Sequence, residues 1–281
     1  MSRVLVVDDD EHLRSVLATL LETAGYQVTT AGDGAEGLQR LEREPFDLML
    51  LDVWMPRMTG LEVLTQLKSR APSLRVILLT ADDTPDTVLH ALRDQAYQFV
   101  RKPFDPEALL AAVGNALGAG AAVQPIEVLS AQPHWVELLV PCQLEVADRI
   151  QGFLMTLEAG LPEKVRESVG IAFRELLLNA IEWGGKFDPT RKVRIAYLRT
   201  ERLLLYRIAD PGSGFRFDAL EHSALANPAD NPVQHLKVRE EKGIRAGGFG
   251  ILMTRAMVDE LLYNEAQNEV VFIKYLDKPG D

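Results

Sequence analysis

Cysteine is nearly absent. Cys142 stands alone among 281 residues, too few for a disulfide framework and suited to a reducing, cytoplasmic compartment. Five scattered histidines beside that one thiol offer no zinc-type cluster. Long apolar runs are missing as well. Segments such as VLVV (4–7) and DLMLLDVW (47–54) are too short or too interrupted to span a bilayer. The chain opens on a strand-like segment, so no signal peptide is expected. Positive charge is in short supply: 30 Lys and Arg face 41 Asp and Glu, for a net charge of −11. Residues 1–120 hold 11 basic against 18 acidic residues, or −7, and the remainder 19 against 23, or −4. An acidic chain without a basic stripe argues against nucleic-acid binding and against an anionic membrane surface. What is present, 47% hydrophobic and 25% charged residues, is typical of globular proteins, and the length suits two domains.

Residues 3–118 alternate short apolar strands with amphipathic helices. RVLVV (3–7), YQVTT (26–30), DLMLL (47–51), LRVILL (74–79) and YQFV (97–100) read as strands. Five such units predict a doubly wound parallel (βα)5 sheet, whose working site lies at the carboxyl ends of its strands. Asp8 and Asp9 follow the first strand, Asp52 the third; Thr80 ends the fourth and Lys102 follows the fifth. Three clustered carboxylates repel one another, and a hard divalent cation such as Mg2+ relieves that repulsion. An aspartate nucleophile at Asp52, with a hydroxyl and an ammonium nearby, suits formation and loss of an acyl phosphate. Ordinary solvated turns also carry carboxylates at strand ends, but not with a matched Thr and Lys on two further strands.

These segments, VLVVDDDE, LDVWMPRMTG, LLTAD and FVRKPF, resemble the receiver domain of two-component response regulators. The resemblance covers about residues 1–118. It implies a flavodoxin-like fold, Asp8, Asp9 and Asp52 as Mg2+ ligands, Asp52 as phosphoacceptor, and Thr80 and Lys102 as phosphoryl contacts. Phe99 takes the place of the family's switch aromatic, and the Lys102–Pro103 bond is expected to be cis.

Residues 119–133 are rich in small residues, Gly and Pro, and read as a linker. A second domain is expected over 134–281. VELLV (136–140) reads as a strand, 143–158 and 163–183 as helices, 192–199 and 202–210 as strands, 248–260 as a helix and 269–276 as a closing strand. Helices on one face of a mixed sheet, an α/β sandwich, is the economical arrangement.

On the helix containing RELLLNAIEWGG (174–185), Glu175, Asn179 and Glu182 share one face. A polar stripe on an otherwise apolar helix needs a partner, and an Asn amide oxygen can ligate Mg2+ beside phosphates without adding charge. Gly184 and Gly185 permit a sharp exit. IADPGSGF (208–215) sets Asp210 at a strand end, able to accept from an adenine amino group, with Gly212 and Gly214 behind it. RAGGFGI (245–251) opens a helix whose N–H groups can hold phosphates. Lys237, Arg239, Lys242 and Arg245 lie in the turn-rich stretch between and could meet phosphates, or be plain solvated charges.

Together these resemble the GHKL-type, or histidine-kinase-like, ATPase domain, with the anti-sigma-factor serine/threonine kinases as the nearest flavour. VPCQLEVADRIQGFL, GLPEKVRESVGIAFRELLLNAIEWG and MVDELLYN with EVVFIKYL carry the resemblance over about 134–278. It implies Glu175 as general base, Asn179 on Mg2+, Asp210 on adenine, and Gly212, Gly214, Gly248 and Gly250 along ATP. Members often have His where this chain has Trp183. No long dimerising helix with a phosphorylatable His precedes the domain, so the phosphate acceptor is expected on another protein.

The resemblances imply a response regulator with an enzymatic output. A cognate histidine kinase phosphorylates Asp52, and this regulates an ATP-dependent serine/threonine kinase acting on an anti-sigma-factor antagonist of the STAS type, by partner switching. The alternative is an ATP-binding, non-catalytic module that sequesters a sigma factor or antagonist. Dimerisation is implied for both domains. A DNA-binding regulator is disfavoured by charge and by the lack of a helix-turn-helix pattern.

Overall fold

A computed structural model describes residues 1–81, 84–118, 125–158, 160–214, 241 and 249–276. The chain forms two compact units, Met1–Val123 with Gly152–Ala159, and Gln124–Gln151 with Gly160–Asp281. Among the described residues no helix is long and apolar enough to cross a membrane.

The first unit alternates β1 (Arg3–Val7), α1 (Glu11–Thr23), β2 (Gln27–Ala31), α2 (Gly34–Arg43), β3 (Leu48–Asp52), α3 (Gly60–Arg70), β4 (Arg75–Thr80), α4 (Pro85–Arg93), β5 (Gln98–Arg101) and α5 (Pro106–Gly118). All strands pair in parallel, in the order β2-β1-β3-β4-β5. Val4, Val6, Leu48, Leu50, Ile77 and Leu79 are fully buried against Leu17, Leu21, Leu109 and Val113 of α1 and α5. Strands covered on both faces read as continuous apolar runs, which is why VLVV and LMLL were legible. The helix starts are specified locally. Asp10 accepts from the His12 and Leu13 N–H groups at the start of α1, Asp33 caps α2, and Thr59 with Glu62 forms a reciprocal box at α3.

The second unit holds β6 (Glu127–Gln132), β7 (Trp135–Pro141), the part of α6 (Leu144–Leu157) up to Gln151, α7 (Glu163–Asn179), β8 (Lys192–Arg199), β9 (Leu203–Ala209), α8 (Gly250–Met257), β10 (Glu260–Tyr263) and β11 (Glu269–Tyr275). Its six strands run in the order β10-β11-β9-β8-β7-β6. Every pairing is antiparallel, so the expected mixed sheet is corrected. Strand β6 lies inside the stretch expected as linker, and β10 begins on the last residue of the expected helix 248–260 and runs into residues given no expected element. An aromatic cluster ties α7 to the sheet. The Tyr206 ring stacks on Phe272 at 4.8 Å and meets Tyr197 at 5.0 Å and Phe173 at 5.2 Å, between centroids. Gln151 Nε2 donates to the Gly170 carbonyl (3.3 Å) and Arg174 pairs with Asp148 (3.0 Å), joining α6 to α7.

Helix α7 does not run on as an α-helix to 183. Ala180–Gly184 forms a π-helical turn, in which the Gly185 N–H reaches back to the Ala180 carbonyl. The reversal then comes at Lys186 and Phe187, with φ of 58° and 55°. Gly185 is right-handed at φ −85°, so the two glycines do not make the exit by themselves. Their role is close approach. A Cβ on Gly184 would strike the Asp210 carboxylate, and one on Gly185 the Cys142 sulfur.

Candidate functional site

The first constellation assembles at the carboxyl edge of the parallel sheet. Asp8 and Thr80 are fully buried, Asp52 is 4% exposed, and Asp9 is exposed. Carboxylate oxygens of Asp8, Asp9 and Asp52 lie within 4.8 Å of one another. Lys102 Nζ donates to Asp8 Oδ2 and to Asp52 Oδ1, both at 2.7 Å. Asp8 Oδ1 also accepts the Asp10 N–H at 2.9 Å. Burial pushes the Asp52 carboxyl above its ordinary value, Asp8 and Asp9 add to that push, and the Lys102 ammonium pulls against it. Burial also opposes the charge on Lys102, but its bonds to Asp52 and Asp8 outweigh it and hold the ammonium above the usual lysine value. Three carboxylates against one ammonium leave two negative charges in a small space, and oxygen donors of that kind fit a divalent cation. The Lys102–Pro103 peptide bond is cis. Phe99 lies half-buried on β5 at the sheet edge, paired in register with Leu78.

The second constellation draws on three separate elements. Glu175 and Asn179 sit half-buried one turn apart on α7. The Glu175 carboxylate lies against the first residue of α8, where a Cβ on Gly250 would come within 2.5 Å of Glu175 Oε2. Asp210, just past β9, packs on Gly184 of the π turn. Its Oδ1 accepts the Gly212 N–H at 2.7 Å. Burial pushes the Asp210 carboxyl up, and the Gly212 N–H with the charges of Arg191 and Lys186 pulls it back. Gly214 takes φ +85°, a region open to glycine but strained for other residues. Lys186 Nζ lies 5.5 Å above the Trp183 ring, a cation–π contact where a polar histidine was the alternative.

Comparison with known proteins finds two families along the chain. Residues 4–114 match the response regulator receiver domain, and residues 140–274 match the histidine kinase-like ATPase domain. The chain joins a receiver domain to a histidine kinase-like ATPase domain.

Among curated relatives, it is 28% identical over 234 residues to the alkaline phosphatase synthesis transcriptional regulatory protein PhoP of Bacillus subtilis, covering 74% of this chain and 97% of that one. It is 41% identical over 114 residues to the DNA-binding transcriptional regulator NtrC of Escherichia coli, covering 41% of this chain and 24% of NtrC. Apart from PhoP, the chain spans about a quarter to a half of the length of these curated relatives. A solved structure of chemotaxis protein CheY4 from Vibrio cholerae is similar at 34% identity and TM-score 0.40, over 42% of this chain and 99% of that one.

In the receiver domain all the residues singled out by spacing converge, except that Phe99 sits along the edge strand. In the ATPase domain Glu175 meets Gly250, and Asp210 bonds Gly212 directly while packing on the π turn. Gly248 and the four basic residues Lys237, Arg239, Lys242 and Arg245 lie outside the described residues. Sequence reasoning missed the residues that hold Asp210 in place. Arg191 donates from Nη2 to the Pro211 carbonyl, and Asn268 bonds to both sides of the loop. Neither belongs to a glycine or acidic motif, and NEAQN reads as an ordinary turn.

Proposed function

We propose that the chain is a response regulator whose output is an ATP-dependent serine/threonine protein kinase. Asp52 is the phosphoacceptor, loaded by an upstream histidine kinase. Asp8, Asp9 and Asp52 would hold Mg2+ there, supplying charge neutralisation for the incoming phosphoryl oxygens. Lys102 and Thr80 contact the bound phosphoryl group. Its arrival gives Lys102 a new anionic partner in place of a carboxylate oxygen, and a change in Thr80 and Phe99 carries the signal to the sheet edge.

In the ATPase domain ATP is the substrate. Asp210 accepts from the adenine amino group, Gly212 and Gly214 line the nucleotide, and Gly248 and Gly250 flank its phosphates. Asn179 would hold the Mg2+ that accompanies them. Glu175 takes the proton from an acceptor hydroxyl as that oxygen bonds to the γ-phosphorus and the bond to the β-phosphate oxygen breaks, leaving ADP. The acceptor we favour is a Ser or Thr of an anti-sigma-factor antagonist of the STAS type, with a sigma factor as the downstream partner. The observation that supports this reading best is the pairing of Glu175 with the start of α8 while Asp210 is seated on the same helix's π turn. It brings a candidate base on α7 and a candidate base-reader, seated against the π turn that ends α7, into one neighbourhood. The domain division we propose is receiver 1–118 and ATPase 134–281, to whose sheet β6 adds an edge strand from the stretch between, with a cytoplasmic location.

The test is incubation with labelled ATP, Mg2+ and candidate antagonists, with and without an acyl-phosphate donor. Serine or threonine labelling that vanishes in Glu175→Gln, while nucleotide uptake persists, is the expected result. Nucleotide uptake with no transfer to any partner would leave a sequestering module instead. Labelling indifferent to Asp52→Asn would detach the kinase from the receiver.

A further inference from the structure

The loop after β9 is held from outside by a hairpin whose turn, residues 265–268, falls between the quoted motifs. Strands β10 and β11 are joined through residues 264–268. The Asp210 N–H donates to the Asn268 carbonyl at 2.8 Å, and Asn268 Nδ2 donates to the Gly212 carbonyl at 3.0 Å. The orientation of this amide is fixed, because its Oδ1 accepts from Asn264 Nδ2 at 2.8 Å. Asn264 Oδ1 in turn accepts the Asn268 and Glu269 N–H groups, at 3.1 and 3.2 Å. Gln267 takes φ +59° to close the turn. The Ala266 carbonyl fills the space that a side chain on Gly214 would need. From another direction Arg191 bonds the Pro211 carbonyl, and Gly184 backs the Asp210 carboxylate.

This clasp matters for chemistry as well as shape. Asp210 Oδ1 is occupied by the Gly212 N–H, and Oδ2 has no hydrogen bond among the described residues. An oxygen held still at that point attracts the exocyclic amino group of adenine and repels the carbonyl that guanine carries at the same ring position. If the loop drifts, the carboxylate can turn to water and the discrimination fades. We infer that Asn268 is the positioning residue that fixes Asp210, and so sets the preference of the ATPase domain for adenine over guanine nucleotides. The inference rests on the nucleotide-binding reading above and names the element that gives it base selectivity.

The experiment titrates ADP and GDP, each with Mg2+, into the full chain by calorimetry. The wild type is compared with Asn268→Ala and Asn268→Asp, and thermal unfolding of each is recorded alongside. Asn268→Asp keeps an oxygen facing Asn264 but loses the donor to Gly212, so it carries the comparison should Asn268→Ala fail to fold. The wild type is expected to prefer ADP, and both variants to lose about tenfold of that preference, mostly as weaker ADP binding. Variants that melt earlier yet keep the wild-type ADP-to-GDP ratio would show a purely structural hairpin and overturn the inference. A wild-type chain that takes up neither nucleotide overturns the nucleotide reading itself, and this inference with it.

Discussion

The two halves build their sites in opposite ways. In the receiver domain every strand runs in the same direction, so five carboxyl ends meet at one edge and four of them, those of β1, β3, β4 and β5, deliver a site residue there without help. In the ATPase domain neighbouring strands run in opposite directions, so no edge collects the ends of them all. Its site is gathered instead by contact: a π turn against Asp210, a helix start against Glu175, a hairpin against the glycine loop. A parallel sheet lets sequence order stand in for position. An antiparallel one does not, and the missing information is carried by residues whose only task is to fit closely.

That contrast can be broken by mutation. The largest effect is expected from Tyr206→Ala, which empties the centre of the aromatic cluster and should cost the ATPase domain about 4 kcal/mol, measured by urea denaturation. The receiver pocket of that variant should be untouched, and a receiver that unfolds with it would refute independent cores. Lys102→Ala is next. It leaves two buried carboxylates without their ammonium and should cost the receiver about 3 kcal/mol. Added Mg2+ should restore part of this, and no recovery with Mg2+ would count against the three aspartates as a metal site.

How much was legible follows the same division. The receiver strands lie within one residue of their expected places, most plainly β1, β3 and β4, which are continuous apolar runs ending at or just before a chemically loaded residue. Asp52, Thr80 and Lys102 needed no further clue. In the ATPase domain the long helices and β8, β9 and β11 were visible from periodicity. β6 was not, because EVLSAQ has little apolar character and sits at an edge next to small residues. β10 was hidden because ELLY continues the pattern of the preceding helix. Nothing in AIEWG distinguishes a π turn from an α turn, so Gly184, which ends it, and Gly185, which follows, suggest a conformational role when their reason is proximity. Asn268 carries no charge and lies in no motif, Asn264 merely ends MVDELLYN, and only the folded hairpin shows what they grip.

Cys142 sharpens the comparison by pH. Burial against Gly185 pushes its thiol up to about 11 from an ordinary 9.0. Below pH 9 both folded and unfolded chains hold the proton and the native state loses nothing. As pH rises from there toward 11, the unfolded chain ionises first, so stability falls across that window. The urea midpoint should drop less over that range in Cys142→Ala, and an equal drop would show that the thiol is not sealed. The smallest effect is reserved for the outer face of the second sheet. Glu137 pairs with Arg194 at 2.6 Å, with the arginine half exposed. Glu137→Ala should change the unfolding free energy by about 0.5 kcal/mol or less, and a larger loss would mean that this face is covered.

Surface hairpins are ordinarily where a chain tolerates added length. The turn between β8 and β9, at Thr200–Arg202, is exposed and should accept a grafted epitope or a fluorescent tag. The turn between β10 and β11 should not, although its tip is exposed too. With the Ala266 carbonyl lodged where Gly214 has no side chain, even one extra residue there would lift the hairpin off the loop it guards. Two bends alike in sequence texture would then differ entirely as places to cut, splice or label this protein.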